Sequence, residues 1–255
     1  MSEIGFFGGA APFYARFRPG YPAELLDLVA AGAGLDGTGR LLDLGCGTGN
    51  VAIPLASRVE EVVAVDVEPE MLAELRRSAP ANVRAVEARA EDVDESWGTF
   101  RLVTIGAALH WFESALVLDR LAAITPVVVL LGESIEQSEA ISTVLAVAEE
   151  VLGKRPAAKS ATIRFEQALA ASAFADFEQL SAEVERTWSA DELIGFAYST
   201  SFASPARVGD RRAEFERELR ARLKPVYEER VTVDAYLGRQ QPGSLFHQVA
   251  EFRTS

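Results

Sequence analysis

The sequence is poor in cysteine and contains no long apolar run. Cys46 is the one cysteine among 255 residues, so no disulfide can form within the chain, and we expect a reducing, cytoplasmic compartment. No uninterrupted stretch of about eighteen apolar residues occurs, which argues against a transmembrane helix. The first residues lack a basic segment followed by an apolar core, so we do not expect a secretion signal.

Positive charge is also scarce. The chain has 25 lysine and arginine residues against 38 aspartate and glutamate residues, which gives a formal net charge of −13. A protein whose main partner is DNA, RNA or an anionic membrane needs a basic face to neutralise phosphate groups. The acidic balance therefore argues against those partners and favours a small-molecule substrate. It leaves the oligomeric state open between a monomer and a homodimer.

A glycine-rich stretch follows the first predicted strand. Residues 41–44 have the length and apolar character of a buried parallel strand, and Gly45, Gly47 and Gly49 follow at alternate positions. Glycine lets the backbone close on a ligand and adopt positive φ angles. Exposed amide hydrogens at the start of the next helical segment favour a polar or anionic ligand group. The stretch predicts a cradle for a nucleotide-type cofactor.

The spacing of the glycines and two carboxylates indicates which cofactor this is. A dinucleotide fingerprint requires Gly-x-Gly-x-x-Gly, whereas this chain has Gly-x-Gly-x-Gly, with Asp43 two positions before the first glycine. The next predicted strand, residues 62–65, runs into Asp66, whose carboxylate can accept hydrogen bonds from both hydroxyls of a ribose. A Rossmann-type oxidoreductase is therefore disfavoured and remains only as an alternative.

These motifs resemble those of the class I methyltransferases that use S-adenosylmethionine. Residues 42–49 resemble the first motif, and Asp66 with residues 68–72 resembles the acidic second motif. The resemblance implies S-adenosylmethionine as cofactor, S-adenosylhomocysteine as product, no metal, and a Rossmann-like sheet of seven strands whose last strand is antiparallel. It implies cofactor contacts from Asp43, Gly45, Cys46, Gly47, Gly49, Asp66, Val67 and Met71.

An N-terminal signature narrows the resemblance to a subgroup. The series Tyr14-x-x-x-Arg18-Pro19-x-Tyr21-Pro22 resembles the start of a subgroup that includes trans-aconitate methyltransferases and that methylates acids and secondary metabolites. This implies that the segment covers the cofactor, with Tyr14 and Arg18 near the methionine carboxylate or the substrate. The aromatic residues alone are equally consistent with a short helix packed at the edge of the sheet.

Two later segments complete the predicted site. Residues 89–92 resemble the adenine-binding segment of the family; many members have aspartate where this chain has Arg89, so the resemblance assigns the contact to Ala90 and Glu91. A solvated, charged loop is the alternative interpretation. Residues 106–112 follow the fourth predicted strand, and ligands of open α/β sheets bind beyond the carboxyl ends of strands.

The segment 106–112 also contains the predicted catalytic residues. Its series Ala-x-x-His-Trp-Phe resembles the same subgroup and implies a cofactor contact from Ala107 and a substrate contact from Phe112. His110 is predicted to take the proton of a hydroxyl or amine acceptor, or to orient a carboxylate acceptor. Trp111 and Tyr14 are predicted to surround the cationic methyl group with a dry aromatic wall. A histidine beside aromatic residues can equally be structural.

Strands and helices alternate up to residue 133, which predicts an α/β fold with a parallel, doubly wound sheet. Residues 1–133 are interpreted as an N-terminal lid segment and the cofactor-binding half. Residues 134–255 are interpreted as a helical substrate cap over the carboxyl ends of the strands, together with the last two strands at residues 177–188 and 229–237. Residues 195–201 resemble the same subgroup and imply that Tyr198 and Ser201 lie in the substrate pocket.

The sequence therefore predicts a methyltransferase acting on a small molecule. O-methylation of a carboxylate or hydroxyl is favoured, and C- or N-methylation stays open. A protein that binds S-adenosylmethionine to catalyse another reaction, or to sense the cofactor, is the main alternative, because nothing in the residues separates binding from transfer.

Overall fold

The computed structural model describes residues 7–133, 138–154 and 164–241. The sequence also predicts an ordered segment at residues 157–175, a loop at residues 154–160 and packing of the N-terminal aromatic residues, among them Phe6. The first two lie partly outside the described residues, and Phe6 lies wholly outside them. No helix in the described ranges combines the length and the apolar character needed to cross a membrane.

One sheet of seven strands forms the centre of the described structure. Its strands are β1 (Arg40–Leu44), β2 (Glu61–Asp66), β3 (Val83–Glu87), β4 (Leu102–Gly106), β5 (Val127–Glu133), β6 (Asp176–Ser189) and β7 (Val226–Arg239). They lie in the order β3-β2-β1-β4-β5-β7-β6. The first five strands are parallel, and β7 is inserted antiparallel between β5 and β6. The predicted Rossmann-like sheet with an antiparallel last strand is confirmed.

Helices cover both faces and the carboxyl ends of the parallel strands. They are α1 (Ala11–Phe17), α2 (Ala23–Gly32), α3 (Ala52–Leu55), α4 (Pro69–Ser78), α5 (Ser114–Leu121), α6 (Glu139–Leu152), α7 (Phe165–Ala170), α8 (Ala190–Tyr198), α9 (Pro205–Val208) and α10 (Arg212–Arg222). Pro54 lies inside the helical segment after the glycine loop, which predicts a short or bent helix. The helix is short, since α3 has four residues and continues only as a 3-10 turn over Ala56–Arg58.

Alternating residues of β1 belong to two separate cores. Leu41 joins a cluster that includes Leu25 and Val29 of α2, on one face of the sheet. Leu42 joins a cluster that includes Leu118 of α5, on the opposite face. Successive side chains of a strand point to opposite faces, and burying each such side chain contributes about 1.5–3 kcal/mol. Strand β1, which precedes the glycine loop, is therefore packed against apolar residues on both faces of the sheet.

The second half builds a cap with a core of its own. Buried residues of α6, α8 and α10 form a third cluster with Trp188 and Tyr227 from β6 and β7. Helix α1 packs on this cap, since the Phe13 and Tyr198 rings lie 5.0 Å apart and a Cβ atom at Gly195 would lie 2.4 Å from Cδ2 of Phe17. The N-terminal segment is thus docked on the cap.

Candidate functional site

Two open cavities adjoin at the carboxyl ends of the central strands. The larger cavity, about 1030 Å³, includes Asp66, Val67, Met71, Ala90 and Glu91 in its lining. The smaller cavity, about 770 Å³, includes Arg18, Asp43, Cys46, Asn50 and Ile141. Tyr14, Gly45, Gly106 and Ala107 line both cavities. These four residues define the junction, where a group bound in one cavity can reach a group bound in the other.

The glycine loop comes close to the segment after β4. Gly45 has φ +66°, and a Cβ atom there would lie 2.5 Å from Cβ of Ala108, far inside van der Waals contact. Gly47 has φ +53° and faces the ring of Tyr14. Gly49 lines neither cavity; a Cβ atom there would lie 2.4 Å from Cδ1 of Leu75, so its role is the close approach of the loop to α4.

Asp66 at the end of β2 is fixed by backbone amides. Its Oδ2 accepts the N–H of Gly47 at 2.8 Å, and its Oδ1 accepts the N–H of Glu68 at 2.9 Å. Burial raises the pKa of Asp66 above its ordinary value, against the opposing effect of these hydrogen bonds. The structure thus brings the predicted ribose carboxylate to the predicted glycine loop, on the wall of the larger cavity.

Asp43 connects the elements behind the loop. Its Oδ1 accepts the hydroxyl of Thr104 on β4 at 2.7 Å, and its Oδ2 accepts the N–H of Ala52, the first residue of α3, at 3.2 Å. The residue is 1% exposed, and burial raises its pKa to about 7. Both oxygens therefore have partners inside the protein, and Asp43 acts on the site chiefly by holding β1, β4 and α3 together.

Arg18 presents a cation to the smaller cavity. Its Cζ atom lies 5.5 Å from the ring centroid of Tyr14 and 5.2 Å from that of Phe196, so the guanidinium contacts one ring from the lid and one from the cap. No carboxylate of residues 7–133, 138–154 or 164–241 forms an ion pair with it. A guanidinium in this setting can bind a planar anion such as a carboxylate.

The segment after β4 has an unusual backbone. Ala107 has φ +50°, the one positive φ of a non-glycine residue in the described part of the chain, and its N–H donates to the carbonyl of Leu131 at 2.9 Å. Residues held in sparsely populated conformations cluster at functional sites.

Trp111 and Phe112 follow this segment and line the larger cavity, and the ring of Trp111 lies 5.9 Å from that of Phe7. Phe112, predicted to contact substrate, therefore lies on the larger cavity.

His110 lies beside the site and lines neither cavity. Its ring centroid is 4.9 Å from that of Trp111. Burial, and to a smaller extent the charge of Arg18, lower the pKa of His110 below its ordinary value of 6.5. The imidazole is therefore mostly neutral at pH 7, which is the form that accepts a proton.

The lowered pKa gives a pH test for His110. A base works in its neutral form, so if His110 is the base, kcat/KM should fall on the acid side with an apparent pKa below 6.5. The His110→Asn variant should be at least roughly a hundredfold slower and lose that acid limb. The measurement is the pH–rate profile of both proteins. An unchanged profile in the variant would leave His110 as a packing partner of Trp111.

The predicted adenine segment is partly tied to α5. Ala90 is buried and lines the larger cavity together with Glu91. Glu91 Oε1 accepts the N–H of Glu113 at 3.0 Å, and Glu91 Oε2 lies 3.4 Å from a guanidinium nitrogen of Arg89. Both oxygens of Glu91 already have partners, so this carboxylate fixes the start of α5 as well as lining the cavity.

Two predicted substrate residues are not brought to the cavities. Tyr198 is buried in the core of the cap; its hydroxyl donates to Glu216 at 2.7 Å and its ring packs on Phe13 and Phe215. Ser201 lies in the turn after α8 and lines neither cavity. The structure therefore brings neither residue to these two cavities, and their place in a substrate pocket stays a prediction. For Tyr198, an aromatic residue at helical spacing packs a core in the same pattern that it would line a pocket.

Sequence reasoning missed several residues of the smaller cavity. Asn50 and Val51 directly follow the glycine motif, and Tyr21 belongs to the N-terminal signature. The position of these three residues beside a motif could have identified them from the sequence. No sequence motif identifies Ile141 and Val233, because they belong to α6 and β7 and reach the smaller cavity only when the chain folds.

Comparisons with known proteins agree with this geometry. Residues 41–128 match a family model described as a methyltransferase domain. An uncharacterized methyltransferase of Mycobacterium bovis is 37% identical over 118 residues, which are 46% of this chain and 46% of that protein. The match to such curated relatives thus spans just under half of their length.

Solved structures show the same fold along most of the chain. A candidate type II methyltransferase from Anaeromyxobacter dehalogenans is 25% identical, with a TM-score of 0.54 over 88% of this chain and 98% of that one. A candidate methyltransferase from Bacillus halodurans is 20% identical, with a TM-score of 0.53 over 85% of this chain and 97% of that one. None of these three proteins singles out the trans-aconitate subgroup, which stays a prediction.

Proposed function

We propose that this chain is a class I S-adenosylmethionine-dependent methyltransferase that transfers a methyl group to a small-molecule acceptor. The match of residues 41–128 to a methyltransferase-domain model and the shared fold support the proposal. The observation that carries the proposal is the meeting of the glycine loop and Asp66 on the larger cavity. A cradle in which a Cβ atom at Gly45 would collide with Ala108 fits a cofactor bound closely against the backbone.

The larger cavity offers a distinct partner for each part of the cofactor. Asp66 would accept hydrogen bonds from the ribose hydroxyls of the cofactor. The backbone at Gly45 and Gly47 would contact other parts of the same cofactor. Met71 and Ala90 supply an apolar surface for the adenine. These residues all line the larger cavity.

The chain itself contributes mainly by positioning. When bound, S-adenosylmethionine supplies an electrophilic methyl group on a sulfonium, whose sulfur leaves neutral and needs no acid. Tyr14, Gly106 and Ala107 lie where the two cavities join, so they would hold the acceptor in line with that methyl group. Such orientation lowers a barrier by up to about 7–11 kcal/mol in the best cases. The aromatic rings of Tyr14 and Trp111 would exclude water from the surroundings of the methyl group.

The acceptor group that fits the smaller cavity best is a carboxylate. Arg18 provides a cation without a carboxylate partner in the described residues, flanked by two rings. A carboxylate is ionised at neutral pH and needs no base, which agrees with the position of His110 outside both cavities. A hydroxyl acceptor is the next candidate, and it would require the His110 ring to turn toward the bound acceptor to serve as base.

Replacing Arg18 by methionine tests the acceptor class. We expect KM for a carboxylic acid acceptor to rise by roughly 10- to 150-fold, as for a lost charged hydrogen bond of about 1.5–3 kcal/mol, with the Kd of S-adenosylmethionine unchanged. Acceptors are found first by S-adenosylhomocysteine release from a panel of carboxylic acids. Arg16→Met is the matched control, because Arg16 is exposed on α1, two residues before Arg18, and lines neither cavity.

Other outcomes would assign Arg18 or the protein differently. If Arg18→Met weakens S-adenosylmethionine instead, Arg18 holds the methionine carboxylate of the cofactor. If the parent protein binds S-adenosylmethionine and releases no S-adenosylhomocysteine with any carboxylic acid, alcohol, phenol or amine, the proposal of methyl transfer fails and a cofactor-sensing role takes its place.

A further inference from the structure

We infer that the smaller cavity selects acceptors by length through an apolar wall, and that Glu229 sets the position of this wall. The apolar wall consists of Ile141 on α6, Phe196 on α8 and Val233 on β7. The inference rests on the proposed function and names its acceptor class: a small carboxylic acid with an apolar body.

The apolar wall lies at the seam between the sheet and the cap. Ile141 and Phe196 belong to the core of the cap, whereas Val233 belongs to a core of the sheet. Each is 3% exposed or less, so dense packing supports the wall from behind. Many other buried residues of the cap core, among them Ile194, line neither cavity. Among the buried residues of the cap core, only Ile141 and Phe196 line the smaller cavity. Burial in that core therefore does not by itself place a residue on the cavity.

Arg18 and Asp43 are the charged residues that line the smaller cavity. The guanidinium of Arg18 lies over the ring of Phe196, and the carboxylate of Asp43 is occupied by Thr104 and Ala52. A ligand with an anionic head would place that head at Arg18. Its body would then lie on the aliphatic surface of Ile141 and Val233, where burial of each methylene group strengthens binding roughly fourfold.

Glu229 fixes the first turn of α6 to β7. The hydroxyl of Ser138 donates to Glu229 Oε2 at 2.7 Å and accepts the N–H of Ile141 at 3.0 Å. The N–H of Ala140 donates to Glu229 Oε1 at 2.8 Å. A carboxylate that binds the amides of a helix N-terminus is a stabilising arrangement. Because Glu229 and Val233 lie on the same strand, this contact sets the spacing between Ile141 and Val233, and Glu229 is a positioning residue.

The experiment measures a chain-length profile. Straight-chain monocarboxylates from acetate to decanoate are titrated calorimetrically into the complex of the full chain with S-adenosylhomocysteine, and each acid is also assayed for methylation. We expect Ile141→Ala to raise the affinity for acids longer than the parent optimum by about tenfold relative to shorter ones. Val233→Ala should act in the same direction, and Val233→Ile should shorten the optimum.

Matched variants separate the wall from general packing. Ile194→Ala removes the same side chain from the same cap core without touching a cavity, so it should lower stability and leave the length profile unchanged. Glu229→Gln keeps the size of the side chain while removing one acceptor, so it should broaden the profile. Glu228→Gln, on the exposed neighbour, should not. Ile141→Val gives a smaller shift and covers the case in which Ile141→Ala does not fold.

The outcomes distinguish this inference from the proposed function. An unchanged optimum in Ile141→Ala, Ile141→Val and both Val233 variants would overturn the wall while methyl transfer stands. A shifted optimum in binding, with no acid methylated, would support the apolar wall and contradict methyl transfer to a carboxylate. If no monocarboxylate binds the parent complex, both the carboxylate acceptor class and the length selection by the apolar wall are contradicted. The prediction of cofactor binding is unaffected by that result.

Discussion

Asp66→Ala should bind S-adenosylmethionine at least roughly thirtyfold more weakly than the parent protein. A lost charged acceptor that binds hydroxyl groups costs about 2–4 kcal/mol, and each 1.36 kcal/mol is a factor of ten. The same carboxylate also orders the loop, because it accepts the N–H groups of Gly47 and Glu68. The variant therefore loses a ligand contact and the anchor of the glycine loop together, and isothermal titration measures the sum.

The matched control for Asp66 lies at the other end of the same strand. Glu60 is exposed immediately before β2, far from the carboxyl end that carries Asp66, so Glu60→Ala should leave cofactor affinity unchanged. If Asp66→Ala bound S-adenosylmethionine as tightly as the parent, the assignment of the second motif to this residue would be wrong, whatever the fold.

Gly45→Ala should abolish cofactor binding at ordinary concentrations. The added Cβ atom would lie 2.5 Å from Cβ of Ala108 and 3.1 Å from Cζ of Phe112, so the segment after β4 must move away from the loop. The φ of +66° adds about 1–2 kcal/mol of backbone strain, and overpacking adds about 1–3 kcal/mol. The displaced segment includes the junction of the two cavities, so methyl transfer should be lost with binding.

A second glycine isolates the cause of this effect. Gly34 has φ +64°, close to that of Gly45, but a Cβ atom there would meet nothing within 4 Å. Gly34→Ala should therefore cost only the backbone strain, seen in urea unfolding, and should bind S-adenosylmethionine normally. If Gly45→Ala bound S-adenosylmethionine as tightly as Gly34→Ala, the close approach of Gly45 to Ala108 would not be needed for cofactor binding.

The sequence predicted the larger cavity better than the smaller one for a physical reason. Neighbouring parallel strands bring their carboxyl ends to one edge, so a glycine loop after β1 and an aspartate at the end of β2 must meet, and Asp66 does accept the N–H of Gly47. Local residue order is enough for this inference. The same holds for the short α3, whose shortness is predicted from the local position of Pro54.

The smaller cavity depends on contacts between distant parts of the chain. Its wall joins Ile141, Phe196 and Val233, whose meeting follows from the insertion of β7 between β5 and β6 and from the docking of the cap. Periodicity identifies each residue as apolar and inward-facing but does not say which interior it faces. Tyr198 illustrates the limit, because it shares a helix with Phe196 yet packs inside the cap.

The central claim is that the larger cavity binds S-adenosylmethionine. Calorimetric titration of the protein with S-adenosylmethionine, S-adenosylhomocysteine and NADH tests it most directly, with Asp66→Ala measured alongside. We predict saturable binding of both sulfur compounds, loss of that binding in Asp66→Ala, and no binding of NADH. Tighter binding of NADH, or no binding of either sulfur compound, would show that the glycine loop serves a different ligand.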